Sequence, residues 1–261
     1  MTPRSPVAHA HRFGDWARRA MPWGWALAGV TALAAAQAQP AAPQPLRYVV
    51  PTNQGMPLLA MQGQRPVDGL LKDLAETMAA RLGRPLQYVT LPSKRAMSAL
   101  MRGEADVHCY VQPGWLEGDL LWTVRFITSA EVVAATQGAP ALSSKAALAD
   151  EPVGTVLGYR YPQIEQPLQQ RFARRDTVDA DTNLRRLALG RVRYALTDRL
   201  TLQHYIKRHP EAELREVLEI DRSELGCAVS PREAAALEPI NQALRQLRAD
   251  GRLDQILDRY R

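Results

Sequence analysis

The stretch Leu187-Ala-Leu-Gly-Arg-Val-Arg-Tyr-Ala-Leu-Thr-Asp198 determines how the whole chain is read. An amphipathic run with apolar Leu184, Leu187 and Ala188 stops at Gly190, a residue that takes the left-handed C′ position of a helix without steric cost. Val192, Tyr194, Ala195 and Leu196 suit a buried strand ending on Thr197-Asp198, and a new helical pattern starts at Arg199. A carboxylate is thereby expected at the carboxyl end of a strand. In open α/β sheets the crevice beyond those ends is where ligands sit. The same design occurs earlier, in Leu100-Met-Arg-Gly-Glu-Ala-Asp106-Val-His-Cys109, where Gly103 closes a helix before a strand. Two α/β units of one design predict two lobes and a cleft.

The flanking chain fits this scheme. Residues 46–50 predict a strand, and Pro51-Thr-Asn53-Gln-Gly-Met-Pro57 a loop leaving its carboxyl end. Leu71, Leu74, Ala75, Met78 and Leu82 share one helical face before Gly83, residues 86–91 form a second strand, and Ser93 is a candidate N-cap for a helix that ends at Gly103. A strand over 105–111 then runs into Gln112-Pro-Gly-Trp115, completing a β-α-β-α-β order. Residues 121–126 and 131–136 look extended, and a composition break at 138–144 suggests a crossing between lobes. A second series opens with a strand over 153–157 and a helix with Pro162 in its first turn and Ile164, Leu168 and Phe172 on its apolar face. After Asp198 come a helix ending before Pro210, a strand over 214–220, another short strand over 226–229, and two terminal helices placing Ile240, Leu244, Leu247, Ile256 and Leu257 inward. Economy of packing returns those helices to the first lobe. The expected division is a leader at 1–38, first lobe 46–134, second lobe 135–221 and a return to the first at 222–261.

Arg12, Arg18 and Arg19, a short apolar run from Trp23 to Ala36, and Ala36-Gln-Ala38 read as a cleavable secretion signal. The run is shorter than the ~20 apolar residues a membrane span needs. The net charge of the chain is +6, and the leader's Arg4, Arg12, Arg18 and Arg19 against Asp15 supply half of it, leaving about +3. No basic block is interleaved with aromatics, so a nucleic-acid partner is not expected. Cys109 and Cys227 form either one disulfide or two small buried apolar positions, since spacing alone does not set their separation. No histidine, cysteine or carboxylate cluster has metal-ligand spacing, and no cofactor is expected.

In this order and spacing, these motifs resemble the small type II periplasmic solute-binding proteins of ABC transporters, the group of polar amino-acid receptors. The likeness spans the chain after the leader. It rests on the Gly69-to-Gly83 helix, on Leu100-Met-Arg-Gly-Glu-Ala-Asp106, on Trp122-Thr123 where the family has Phe-Ser, on Gly190-to-Asp198, and on Ala249-Asp-Gly251 with Ile256-Leu257 and Tyr260. The resemblance implies two doubly wound α/β lobes joined by two crossing strands, closing on a small ligand. It implies a monomeric periplasmic receptor that hands an amino acid or related carboxylate to a membrane ABC permease.

Asp198 falls where the family keeps an aspartate for the ligand's α-ammonium; from the residues alone it is equally a helix N-cap. The family's Thr-x-x-Arg, whose arginine clamps the α-carboxylate, is replaced by Trp115-Leu-Glu-Gly118, so the clamp is missing. Arg160, in Gly158-Tyr-Arg160 at a helix start, and Arg95 are the candidate substitutes. Tyr110, Trp115, Tyr159 and Tyr161 are candidate apolar walls, and Asn53 and Gln112 candidate polar contacts from the loops. No catalytic residue is assigned. Two other functions fit the scaffold: a periplasmic dehydratase acting on cyclic carboxylates, with Glu117 or Asp198 as general acid, and a binding module serving a separate membrane kinase.

Overall fold

The computed structural model describes residues 43–260, and the leader expected at 1–38 lies outside them. The first series is β1 (Leu46–Pro51), a small hairpin of β2 (Ala60–Gln62) and β3 (Arg65–Asp68), α1 (Leu70–Leu82), β4 (Leu86–Leu91), α2 (Ser93–Arg102) and β5 (Val107–Val111). After β6 (Leu121–Trp122) and the long β7 (Ile127–Thr136), the second series is β8 (Val153–Val156), α3 (Pro162–Leu168), β9 (Arg174–Thr177), α4 (Ala180–Ala188), β10 (Tyr194–Asp198) and α5 (Arg199–Arg208). The chain closes with β11 (Leu214–Val229), α6 (Leu237–Ala249) and α7 (Arg252–Tyr260). The main sheet is curled and runs β4-β1-β5-β11-β7-β10-β8-β9, with β6 paired to β11 beside this path.

In each series the first strand lies between the second and the third, in parallel. The winding therefore reverses beside β1 and again beside β8, and such reversals leave a crevice at the carboxyl ends of the strands. Both faces of each half-sheet are covered, which is why the inner parallel strands β5, β8 and β10 are largely apolar runs rather than alternating patterns. In the first lobe, Leu71, Leu74 and Met78 of α1 join Ile240 and Leu244 of α6 and Ile256 of α7 on one face. Ala96 and Leu100 of α2 cover the other face against Val49 and Val111. In the second lobe, Ile164 and Leu168 of α3 pack with Leu196, and Leu184, Leu187 and Leu202 of α4 and α5 pack on the opposite face.

Two strands pass between the lobes. β7 pairs with β11 from Ile127↔Leu225 to Thr136↔Leu214, while the far end of β11 pairs with β5 and β6 and the far end of β7 with β10. The sequence suggested two short strands over 214–229; the structure has one bulged strand of 16 residues. The polar run Asp221-Arg-Ser-Glu224 that hid its middle is half-buried to exposed and paired only with β7. The stretch at 138–144 follows β7, and its Ala139 and Leu142 join the second lobe's core, so the crossing is made by the strands themselves.

Other local expectations change for physical reasons. Pro92, not Ser93, holds the N-cap position of α2, and the Ser93 hydroxyl donates instead to Asn53 Oδ1 at 2.7 Å. α3 stops after seven residues, where Pro167 has removed an amide donor, and Phe172 reaches the same apolar cluster from beyond a 3-10 turn. The hairpin β2–β3 and the charged edge strand β9 carry no apolar alternation and were not foreseen. Cys109 and Cys227, directly opposed on β5 and β11, form a disulfide.

Asp106 shows how the motif before β5 is anchored. It is fully buried and accepts the Arg47 amide at 2.8 Å, the Arg47 guanidinium, and Arg84 Nη2 at 3.2 Å. Arg47 also donates to the carbonyl of Gly103, the α2 C-cap, at 2.5 Å. Removing Asp106 leaves Arg84 without this counter-charge and Arg47 with only the longer contact to Glu233 at 3.5 Å, so Asp106→Ala is expected to cost about 3–5 kcal/mol. Urea unfolding measures this, and an unchanged midpoint at unchanged slope would show the group to be dispensable.

Candidate ligand-binding site

Both reversals of winding open into one gap. The loop after β1 brings Asn53, the end of β5 brings Tyr110, the loop after β8 brings residues 157–161, and β10 ends on Asp198. A cavity of about 490 Å³ lies there, walled by Met97, Tyr110 and Trp115 from the first lobe and by Tyr159, Arg160 and Asp198 from the second. Its volume falls within the ~300–1,000 Å³ typical of small-molecule sites.

Asp198 fills both roles that its sequence position allowed it structurally: it ends β10 and caps α5. Its Oδ1 accepts the amides of Leu200 at 2.9 Å and Thr201 at 3.3 Å. Its Oδ2 accepts the hydroxyl of Tyr110 at 3.0 Å, from the opposite lobe, and that of Ser129 on β7. A carboxylate offers about four acceptor positions, and all four are taken. Burial raises its proton affinity above the usual carboxylate range, and the bonds from Ser129, Tyr110, Thr201 and Leu200 oppose that rise. Tyr110 reaches this position through a left-handed backbone, φ 64°, rare for a bulky residue.

Asn53 does not line the cavity; it ties the lobes together. It is 4% exposed, donates from Nδ2 to the Leu157 carbonyl at 2.9 Å, and accepts the Ala180 amide and the Tyr159 hydroxyl on its own carbonyl, each at 3.3 Å. Its Oδ1 also takes the Ser93 amide at 3.2 Å. The approach is close enough that a Cβ on Gly158, at φ 87°, would lie 3.2 Å from Lys94 Cβ.

The two arginines weighed as carboxylate clamps stand apart from that task. Arg160 lies on the cavity rim, exposed, spanning Glu117 of the first lobe at 2.5 Å and Glu165 of the second at 3.1 Å. Arg95 is exposed and outside the cavity wall. Gln112 is also outside the wall, whereas Trp115, Tyr159 and Tyr161 are in it. A second arginine in the cavity wall is Arg174, from the unforeseen β9. It is saturated: it bonds Glu165 at 2.7 Å, Asp176 at 2.8 Å and the carbonyls of Tyr159 and Val156 at 3.2 Å, and its guanidinium lies 5.2 Å from the Tyr161 ring centroid. Lys94 in the wall makes no ion pair among the described residues.

Three further wall residues carry polar groups that the sequence did not single out for the site. His108 is 4% exposed, its Nδ1 has no partner among the described residues, and burial pulls its pKa down to about 4, so it is neutral. Asp176 serves Arg174 and Thr155. Glu131, on β7, faces the cavity with no hydrogen bond among the described residues, and burial pushes its carboxyl up to about 8. The signal for Glu131 was a lone acid ahead of Val132-Val133 in an extended run. No group of three or more His, Cys, Asp or Glu among the described residues is arranged to hold a metal ion.

Asn53→Ala leaves the Leu157 carbonyl without its cross-lobe donor and the Ser93 amide and hydroxyl without their acceptor, worth about 1–3 kcal/mol, whereas Glu117→Ala breaks only an exposed rim pair, worth about 0–1 kcal/mol. Small-angle scattering of the unliganded protein is expected to show a larger radius of gyration for the first variant and little change for the second.

Residues 48–261 match the bacterial extracellular solute-binding proteins, family 3. No curated protein sequence matches the chain. Among solved structures, an ancestral arginine-binding protein bound to arginine is similar at 22% identity, with 82% of this chain and 97% of that one covered and a TM-score of 0.70. ArtJ, the arginine-, lysine-, histidine-binding protein of the thermophilic bacterium Geobacillus stearothermophilus, is similar at 14% identity, covering 83% and 94%, with a TM-score of 0.70. An ancestral amino-acid-binding protein described as a precursor of cyclohexadienyl dehydratase is similar at 19% identity, covering 82% and 94%, with a TM-score of 0.69. At these identities the likeness is one of fold. No helix among the described residues is long and apolar enough to cross a membrane.

Proposed function

The chain belongs to the bacterial extracellular solute-binding proteins, family 3, and from that premise we propose that it is a periplasmic receptor for a small amino acid or related amine-bearing carboxylate. It works as a monomer and delivers its solute to a membrane ABC permease. The observation that carries this reading is the cavity between the lobes with Asp198 in its wall. Its walls supply what capture requires: aromatic faces from Tyr110, Trp115 and Tyr159, an anionic acceptor for an ammonium group, and Lys94 as a cation free of ion pairs among the described residues. Lobe closure follows from ligand contacts made to both halves at once, because a ligand shifts an equilibrium only by its difference in affinity for the two states. Amino acids named as ligands of similar folds agree with this class of solute.

Elimination chemistry on the same scaffold needs a positioned acid. The two acids weighed for it from the sequence are poorly placed, Glu117 exposed on the rim in an ion pair with Arg160 and Asp198 with its acceptors occupied. Glu131, in the wall and protonated up to about 8, meets that requirement, so a turnover assay separates the two readings. Service to a membrane kinase would use the same capture step and differ only in the protein that receives the closed form.

A thermal-shift panel of amino acids, polyamines and carboxylates tests the proposal. A ligand at a hundredfold excess over its dissociation constant adds ~2.7 kcal/mol of stability, a shift on the order of 5–10 °C. Asp198→Ala is expected to abolish the shift for amine-bearing hits. Equal stabilisation of wild type and variant would remove Asp198 from the site, and conversion of a cyclic carboxylate by the purified protein would replace the receptor reading.

A further inference from the structure

The charges of the cavity do not balance internally. Arg160 and Arg174 are each engaged by acids, Glu117 and Glu165 for the first, Glu165 and Asp176 for the second. Asp198 has its four acceptor positions filled. Glu131 alone among the cavity's carboxyls combines a place in the wall with no hydrogen bond and no ion pair among the described residues.

Its position comes from sheet register. Glu131 on β7 is directly opposite Asp198 on β10 and directly opposite Asp221 on β11. Opposed residues in antiparallel strands project to the same face, with Cβ atoms roughly 4.5–5.5 Å apart. A row of three acids thus crosses the sheet at the level of the cavity. The charged groups around Glu131 are Asp221, Asp198 and Glu165, with Lys145 the one opposing cation and the Tyr161 phenol also near. Burial first, and these acidic neighbours second, outweigh the opposing Lys145, so Glu131 holds its proton up to about 8. His108 is independent of that row. It is 4% exposed in the same wall, with Nδ1 unpartnered and the ring neutral, so it offers a ligand a hydrogen-bonding group without supplying Glu131 a cation.

We propose that Glu131 receives a positively charged group of the bound solute, so that, resting on the reading of Asp198 as ammonium acceptor, the solute carries two basic nitrogen centres. Basic amino acids and short diamines share this chemistry. They differ in whether a carboxylate is present for Lys94. Arrival of the cation makes Glu131 ionise: its carboxyl O–H breaks, the proton leaves to solvent, and the carboxylate pairs with the cation. Affinity for the cationic solute therefore rises with pH up to about 8 and levels above it. Without ligand the effect on the fold has the opposite sense. The folded state keeps this proton where the unfolded chain has released it, so this group's contribution to stability declines as pH rises from about 4.5 to about 8.

Isothermal titration calorimetry tests the proposal with two isosteric comparisons, arginine against citrulline and 1,4-diaminobutane against pentylamine, on wild type, Glu131→Gln and Asp198→Ala. The expected result is a preference for at least one dication of about tenfold to a hundredfold over its partner, the gain of one charge-assisted bond. Glu131→Gln abolishes that preference. The arginine pair responding alone marks an amino acid, with Lys94→Ala weakening it; the diamine pair responding alone marks a diamine. At pH 7, wild type releases close to one proton per ligand, read from the dependence of heat on buffer ionisation enthalpy, and Glu131→Gln releases none. Should the variant not fold, that proton count on wild type decides. Equal binding within both pairs, retention of the preference in Glu131→Gln, or no proton release overturns the inference while loss of binding in Asp198→Ala keeps the receptor reading. Failure of every solute in this panel and in the wider thermal-shift panel overturns both.

Discussion

The antiparallel pairing of β7 with β11 is the constraint on which everything else in the molecule depends. From Ile127↔Leu225 to Thr136↔Leu214 this ribbon joins the two half-sheets, and its flanks are the strands that end at the gap, β5 on one side and β10 on the other. Because side chains on a strand alternate with a period of two, the register of β7 decides that Ser129 and Glu131 project to one face. One reaches the Asp198 carboxylate and the other lines the cavity. A slip of one residue would exchange them for Ala130 and Val132, which belong to the apolar cluster under α4 and α5. The core on one face therefore sets the chemistry on the other.

Polar groups at the gap fall into those that hold the lobes and those left open. Asn53 and the rim pair Arg160–Glu117 span the gap, and Tyr110 reaches over it to Asp198. Tyr110 keeps a backbone conformation that costs of order 1–3 kcal/mol in a bulky residue, and its phenol is aimed at a buried acid that needs donors. Asp198 also stops the amide row of α5 from ending unpaired. Removing it would disturb a helix end and a contact between lobes together. Glu131 has no such structural duty among the described residues, which makes it the cleaner probe of what the cavity holds.

The alternation of apolar strand and amphipathic helix was legible from local pattern. Gly83, Gly103 and Gly190 marked helix ends, and β4 and the starts of α1 and α5 fell within a residue of expectation. Elements without an apolar rhythm were hidden. β9 reads Arg-Arg-Asp-Thr because it is an edge strand, and the middle of β11 is polar because it pairs only with β7 there. Asp198, Tyr110, Trp115, Tyr159 and Arg160 could be placed at the gap because they sit at strand or helix ends. Glu131 and Arg174 could not. One depends on register between strands 67 positions apart (Glu131↔Asp198), and the other on a strand that propensity does not announce. The disulfide was undecidable for the same reason, its cysteines being 118 positions apart and brought together only by β5 meeting β11.

β11 also bears on how such a molecule can be taken apart. Its first residues close one half-sheet beside β7, and its last residues are the neighbours of β5 in the other. Neither half is a module that a gene could donate whole: an excised second lobe would lose the strand that covers β7, and a first lobe rejoined around the excision would lose the start of the strand that flanks β5. Trading one lobe would therefore break a strand that both half-sheets share, whereas exchanging side chains at the strand tips leaves the sheet whole.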